Sequence, residues 1–216
     1  MKSVLVVGMG RFGSHLAKKM SELGNDVMVV DKNAVLIEQL SHFFTDSYIG
    51  DCTNEAVLSA LGVKNFDLCF VTMGEDFQSS LVITSLLKKL GAKSVIAKAN
   101  QDIQADILFK IGADEVIYPE KEISEKLAVR YNADNIFDYI QLTSEYSIYE
   151  IAVLKEWVGS TIQEIDVRRK YKVNIIAVKD GNALQPIPGA DYVFKRGDHV
   201  VVIGKSSDVF KVSSRV

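Results

Sequence analysis

Six residues near the amino terminus have the types and spacing to hold a phosphate. Gly8-Met9-Gly10-Arg11-Phe12-Gly13 reads GxGxxG. It directly follows the apolar run 4–7 and opens a stretch of helical period, Phe12, Leu16, Met20 and Leu23. In that setting Gly8 permits a tight turn, Gly10 lets backbone approach a phosphate, and Gly13 lets helix and strand pack closely. The free N–H groups and positive end of the helix attract the anion. A second apolar run ends in Asp31, 18 residues after Gly13, where a carboxylate accepts hydrogen bonds from ribose hydroxyls. Loop, context and acid together predict an adenosine-phosphate site. The structural alternative is a glycine turn beside a helix-capping Asp. No GxxxxGK[ST] occurs, which sets aside a P-loop nucleotidase.

Arg11 is unusual inside such a loop, where a charge crowds the pyrophosphate of a dinucleotide. A guanidinium forks onto phosphate oxygens, so the expected ligand has terminal phosphates; the bland use is an Arg lying along the surface. Other polar residues fall where strands end: Asp51, Cys52 and Thr53 after the third, Met73-Gly74-Glu75 after the fourth, and Lys98 closing the fifth. Asp51 has a plainer use as cap of a helix starting near Asn54, and Lys98 as a solvated cation. Of the three histidines, His15 and His42 fall on predicted helices and His199 on a late strand, none at a strand end beside the loop. HExxH, GxSxG and clustered metal ligands are lacking. With no evident catalytic acid, base or substrate domain, binding without turnover is expected.

The elements that must position these residues are legible as texture. Apolar runs at 4–7, 27–30, 48–49, 68–71, 95–97 and 116–118 alternate with amphipathic stretches. Runs apolar on both faces suit buried strands of a parallel sheet. The alternation predicts an α/β fold, a Rossmann-like doubly wound parallel sheet. A helix at 120–131 follows, with Ile123 and Leu127 one turn apart. From Phe137 the texture changes to alternating strands at 139–142, 148–153, 173–178, 183–185 and 199–203, a helical segment at 161–171, and a hairpin turn at Asp180-Gly181-Asn182. The expected domains are 1–136 and a smaller α+β unit at 137–216, with a hinge at 133–136.

Composition agrees with a globular chain: 216 residues, 48% hydrophobic and 25% charged. The first region carries 14 Lys and Arg against 18 Asp and Glu, the second 11 against 10. Neither polarity invites nucleic acid. The apolar runs fall far short of the ~20 residues of a membrane span, and the start lacks the pattern of a signal peptide. Two cysteines, Cys52 and Cys69, make no disulfide framework and fit a reducing cytoplasm.

These segments together resemble the KtrA/TrkA type of regulatory subunit of bacterial potassium transport, built from an RCK domain. The resemblance is carried by GMGRFG at 8–13, VVDKN at 29–33, IGDCTNEAVLSALGV at 49–63, AKAN at 97–100, GADEVIYPEKE at 112–122 and VRRKYKVNIIAVKDG at 167–181, over essentially the whole chain. It implies a nucleotide-binding amino-terminal lobe, a crossover helix, and homodimers assembling into octameric rings. The rings would sit in the cytoplasm on the inner membrane face, held by a potassium channel subunit. It implies ATP or ADP, or NAD(H), as ligand. Arg11 would meet the terminal phosphate and Asp31 the ribose. Asp51, Cys52, Met73, Gly74 and Lys98 would line the adenosine pocket, with Phe12, Lys32, Glu75 and Ala99 completing the binding set. Glu120 would help hold a divalent cation. Lys98 stands where many members have Arg, and Cys52 where Ser or Ala is common; both bear on nucleotide preference.

In the second region, Arg168-Arg169-Lys170 precedes the apolar strand from Val173. Apolar walls beside a guanidinium suit a purine and its phosphate. The resemblance adds cyclic di-AMP at the dimer interface, assigned by position to Arg169, Asn174, Ile175, Ile176 and Pro188. The plainer use is a basic helix end beside a core strand. Two rival functions stand apart from the resemblance. A small NAD-dependent oxidoreductase needs a catalytic group facing the nicotinamide. A redox-sensing transcription regulator needs a basic helix-turn-helix, where this region reads as strand-rich.

Overall fold

A computed structural model describes residues 1–132, 135–181 and 183–213. It divides into two compact units, Met1–Lys121 and Glu122–Val216. The first alternates strand and helix: β1 (Ser3–Val7), α1 (Arg11–Glu22), β2 (Asp26–Asp31), α2 (Ala34–Leu40), β3 (Asp46–Ile49), α3 (Glu55–Ala60), β4 (Leu68–Val71), α4 (Phe77–Lys89), β5 (Val95–Lys98), α5 (Asp102–Ile111) and β6 (Glu115–Ile117). The strands form one parallel sheet in the order β3-β2-β1-β4-β5-β6. The order reverses between β1 and β4, and that switch opens a crevice at the strands' carboxyl ends.

The register fixes what meets there. Val7 pairs with Val30 on one side and Val71 on the other. Gly8, Asp31 and Thr72 therefore leave the sheet at one level. Strand alternation sends Leu5 and Val7 into one apolar cluster and Val4 and Val6 into another. The doubly apolar runs of the sequence are thus explained by two covered faces. β3 departs from that expectation: all four of its residues are exposed, because it is the sheet's edge. Short polar caps start the helices, with Asn33, Asn54 and Asp76 each accepting a backbone N–H.

α6 (Pro119–Asn132) follows, and the division between units falls inside it. The sequence reading put the boundary after 136; Ala133 and Asp134 of its hinge lie outside the described residues. Ile123 and Leu127 are 57% and 43% exposed, so this stripe is not docked on a sheet.

The second unit continues with β7 (Ile136–Gln141), β8 (Tyr146–Ala152), α7 (Ile162–Ile165), α8 (Val167–Tyr171), β9 (Val173–Asp180), β10 (Ala183–Pro186), β11 (His199–Lys205) and α9 (Ser206–Ser213). Its sheet is antiparallel in the order β10-β9-β11-β8-β7. Trp157, Leu154 and Phe194 are fully buried at its core. The helical segment expected at 161–171 is broken in two. Asp166 sits at φ 49°, a left-handed conformation that Asp tolerates better than most residues. Asn182, in the expected hairpin turn, lies outside the described residues, while Asp180 and Ala183 on either side of it pair. The closing helix α9, which buries Val209 and Val212, has no counterpart in the sequence reading. Among the described residues no helix is long and apolar enough to cross a membrane.

Candidate functional site

The glycine loop is built to approach something closely. Gly8 has φ 96°, and a Cβ there would meet Met73 Cγ at 2.9 Å and Thr72 Oγ1 at 3.2 Å. The Thr72 hydroxyl donates to the Gly8 carbonyl at 2.6 Å, which ties the loop to the end of β4. A Cβ on Gly13 would run into that same carbonyl and hydroxyl, so α1 can sit this low on the sheet only with glycine. Gly10 is the N-cap of α1 and supplies no side chain to it, and the first turn carries no acid. The helix end is left to an external anion.

Asp31 is not a helix cap. Its Oδ2 accepts the Met9 N–H at 2.6 Å and its Oδ1 accepts the Asn33 N–H at 2.8 Å, while Asn33 itself caps α2. The carboxylate is thereby fixed beside the loop, and each oxygen retains a lone pair for a hydroxyl donor. Asp51 does not cap α3 either, since Asn54 does so. Asp51 Oδ1 accepts the Thr53 hydroxyl at 2.7 Å and the Thr53 N–H at 2.9 Å, which holds its carboxyl below the usual range.

These groups line a cavity of about 1040 Å³, at the upper end of the roughly 300–1,000 Å³ of small-molecule sites. Its wall includes Gly8, Gly10, Arg11 and Phe12 of the loop, then Asp31, Lys32, Asp51 and Cys52 from the next two strand ends. Met73, Gly74, Glu75, Lys98 and Glu120 complete the part foreseen. Two foreseen residues are absent from it. Gly13 lies beneath the loop, and Ala99 is 1% exposed in the core with its N–H given to Ile117.

Lys98 is not the solvated cation of the plainer reading. It is 9% exposed, donates to Glu120 Oε1 at 2.6 Å and lies 5.6 Å from the centre of the Phe12 ring. The hydrogen bond from Lys98, outweighing burial, keeps the Glu120 carboxyl low, with Arg11 adding to it. Burial first, then the carboxylates of Asp51 and Asp31, pushes the Cys52 thiol up to about 12. Cys52 is a neutral, inert part of the wall.

The sequence reading missed Thr72, His15, Asp76, Tyr118 and Asn100, which also line the cavity. Asn100 donates to the Gly74 carbonyl, and its Oδ1 is buried without a partner. A Cβ at Gly74 would come within 3.0 Å of this amide and 3.2 Å of Lys98 Nζ. His15 was placed away from the loop because it is on a helix; the helix carries it into the cavity. Only Thr72 had a signal, as the first polar residue after β4.

The second unit holds an open hollow of about 700 Å³ lined by Arg168, Arg169, Lys172, Asn174 and Tyr146, with Val173, Ile203 and Gly204. Arg168 Nε donates to Asn174 Oδ1 at 2.6 Å. Arg169 extends into solvent, its side chain 88% exposed. Of the five residues assigned to cyclic di-AMP, Arg169 and Asn174 line the hollow, whereas Ile175, Ile176 and Pro188 do not. Ile175 pairs with Val202 and packs against the core of the unit, on the opposite face of the strand from Asn174. Ile176 is an extra, bulged residue opposite the Val201–Val202 step, and its carbonyl is taken by the Ile187 N–H at 3.0 Å.

The arrangement resembles known proteins over its whole length. Residues 4–119 match the TrkA-N domain and residues 147–215 the TrkA-C domain. Ktr system potassium uptake protein C of Bacillus subtilis is 36% identical over 215 residues, covering 100% of this chain and 97% of that one. The GsuK RCK domain superposes with a TM-score of 0.70 at 19% identity over 100% of this chain. The GsuK channel bound to NAD does so at 0.69 and 20% identity over 96%. This chain spans only 47% and 38% of those two, and at such identity they establish the fold alone. Domain order, extent and identity together place this chain in the TrkA family, among the Ktr-type potassium uptake proteins.

Proposed function

We propose that this protein is a nucleotide-sensing regulatory subunit of a potassium uptake system, acting on a membrane channel subunit and not turning its ligand over. The observation that carries the reading is the cavity at the β1/β4 switch. There a side-chain-free helix end, the fixed Asp31 carboxylate and the ion pair of buried Lys98 with Glu120 converge. Site residues are Gly8, Gly10, Arg11, Asp31, Asp51, Gly74, Lys98 and Glu120. Arg11 and Lys98 favour ATP or ADP over NAD(H), because two cations on one wall match a ligand with terminal phosphates. Lys98 reaches that ligand by leaving Glu120 or by sharing its three donors.

A divalent cation at Glu120 fits poorly. Among the described residues no three His, Cys, Asp or Glu side chains gather for a metal, and Glu120 is occupied by an ammonium. Hard cations require several oxygens, which Glu120 alone does not supply. Cyclic di-AMP suits the second hollow by chemistry: Arg168, Arg169 and Lys172 face its phosphates, and Tyr146 offers a ring to a base. The exposed Ile123–Leu127 stripe of α6 supports a homodimer, which the family resemblance extends to an octameric ring on the cytoplasmic face of the membrane.

The test is calorimetric titration of the full chain with ATP, ADP and NADH, with light scattering before and after. The expected result is binding of the adenine nucleotides with ATP or ADP ahead of NADH, and a mass well above 23.9 kDa. Hydride transfer to an identified substrate, or a monomer that binds none of the three, would overturn the reading.

A further inference from the structure

We propose that His15 is a proton-dependent part of the phosphate-recognition surface, so that preference for ATP over NAD rises as pH falls. This rests on the adenosine-phosphate reading of the cavity and deepens it.

His15 follows Arg11 by one turn of α1, and both side chains line the cavity. Residues four apart share a helix face, with Cβ atoms about 5–6 Å from each other. Arg11 and His15 thus place a guanidinium and an imidazole in a row leading from the helix's positive end along its exposed side. Among the described residues His15 has no hydrogen bond or ion pair. Histidine is the side chain whose charge can change within the range a cell visits.

The other charges of the cavity are mostly engaged. The carboxylates are Asp31, Asp51, Glu75, Asp76 and Glu120; the cations beside His15 are Arg11, Lys32 and Lys98. Asp31 and Asp51 are held by N–H groups, Asp76 caps α4 through Ser79, and Glu120 holds Lys98. The Tyr118 hydroxyl and the neutral Cys52 thiol are the other titratable groups of the cavity. A proton on His15 therefore adds charge where terminal phosphates lie, whereas NAD presents only its internal pyrophosphate. By linkage, bound ATP must in turn favour the protonated imidazole by the same factor.

The test uses the full chain, with ATP and NAD titrated at pH 6.0 and 8.0 into wild type, His15→Gln and His15→Arg. The ligand's own phosphate titration is common to all three proteins. For wild type, the ATP-to-NAD affinity ratio should rise about three- to fivefold more between pH 8.0 and 6.0 than for His15→Gln. His15→Arg should keep the high ratio at both pH values. Wild type should also take up a fraction of a proton on binding ATP between pH 6.0 and 8.0, read from calorimetry in buffers of different ionisation enthalpy, and His15→Gln less. Equal pH dependence in wild type and His15→Gln would overturn the role of His15 while leaving the site intact. Absence of binding by either ligand in all three proteins would instead overturn the site itself, and the proposal with it.

Discussion

The cavity of the first unit and the hollow of the second present charge by opposite means. The first relies on backbone: a glycine loop pressed onto β4, a helix end without a capping side chain, and carboxylates held by N–H groups. Its one deep cation, Lys98, is 9% exposed. The second relies on side chains standing in solvent, Arg169 above all. The difference teaches where each site is vulnerable. A backbone site breaks when one methyl group is added and is little affected by salt. A side-chain site tolerates substitution without unfolding but is screened within a Debye length of about 8 Å at physiological ionic strength.

The sharpest way to break this contrast is Gly13→Ala. Its Cβ has nowhere to go but into the Gly8 carbonyl and Thr72 hydroxyl, so a loss of about 2–3 kcal/mol is expected. Urea unfolding followed by far-UV circular dichroism should show a weakened first unit. The fluorescence of Trp157, the single tryptophan, buried in the second unit, should report an unshifted transition. A common shift of both signals would show that the units do not fail separately.

Asp31→Ala comes next. Losing hydrogen bonds to a charged group costs about 1.5–3 kcal/mol, hence roughly 10- to 150-fold in nucleotide affinity. Binding of cyclic di-AMP should not change. Unaltered nucleotide affinity by calorimetry would remove Asp31 from the site.

Arg169→Ala should weaken cyclic di-AMP about tenfold, an effect shrinking at 1 M salt, where the Debye length is about 3 Å. The melting temperature should hardly move, since the side chain is 88% exposed. A large loss of stability would make Arg169 structural.

The smallest expected effect lies at Glu150. Burial alone would raise its carboxyl, but hydrogen bonds from His199 at 2.7 Å and Lys179 at 3.0 Å outweigh it and hold the carboxyl below the usual range. A depressed folded pKa contributes stability above the unfolded value, near 4.3, and that contribution is lost as pH falls through the lowered one. Glu150→Gln should therefore cost about 1 kcal/mol at pH 7 and make the Trp157-detected melting temperature less sensitive to acid below about pH 4.5. An acid profile identical to wild type would mean that the trio contributes nothing.

How much was legible differs between the units for the same reason. In the first, strands apolar on both faces and glycines at fixed offsets are signals local in sequence. The six runs, the loop and Asp31 were all readable there. β3 and Lys98 were readable in place and misjudged in environment, because exposure at an edge and burial beneath Phe12 depend on neighbours far along the chain. In the second, the strands were readable, but a single left-handed Asp166 split the helix, and packing of Ile175 on the core and a bulge at Ile176 left the hollow to other residues.

The sequence alone determined the doubly wound sheet, the glycine loop, the acid that ends β2 and the family. Each is written in periodicity or in residues that only one backbone geometry admits. The tertiary structure alone decided which side chains share the cavity. Lys98 meets Glu120 across 22 residues of chain, Thr72 reaches the Gly8 carbonyl across 64, and His15 arrives by the rotation of α1. No pattern in the sequence encodes such meetings, because they follow from the register of parallel strands whose pairing is itself non-local.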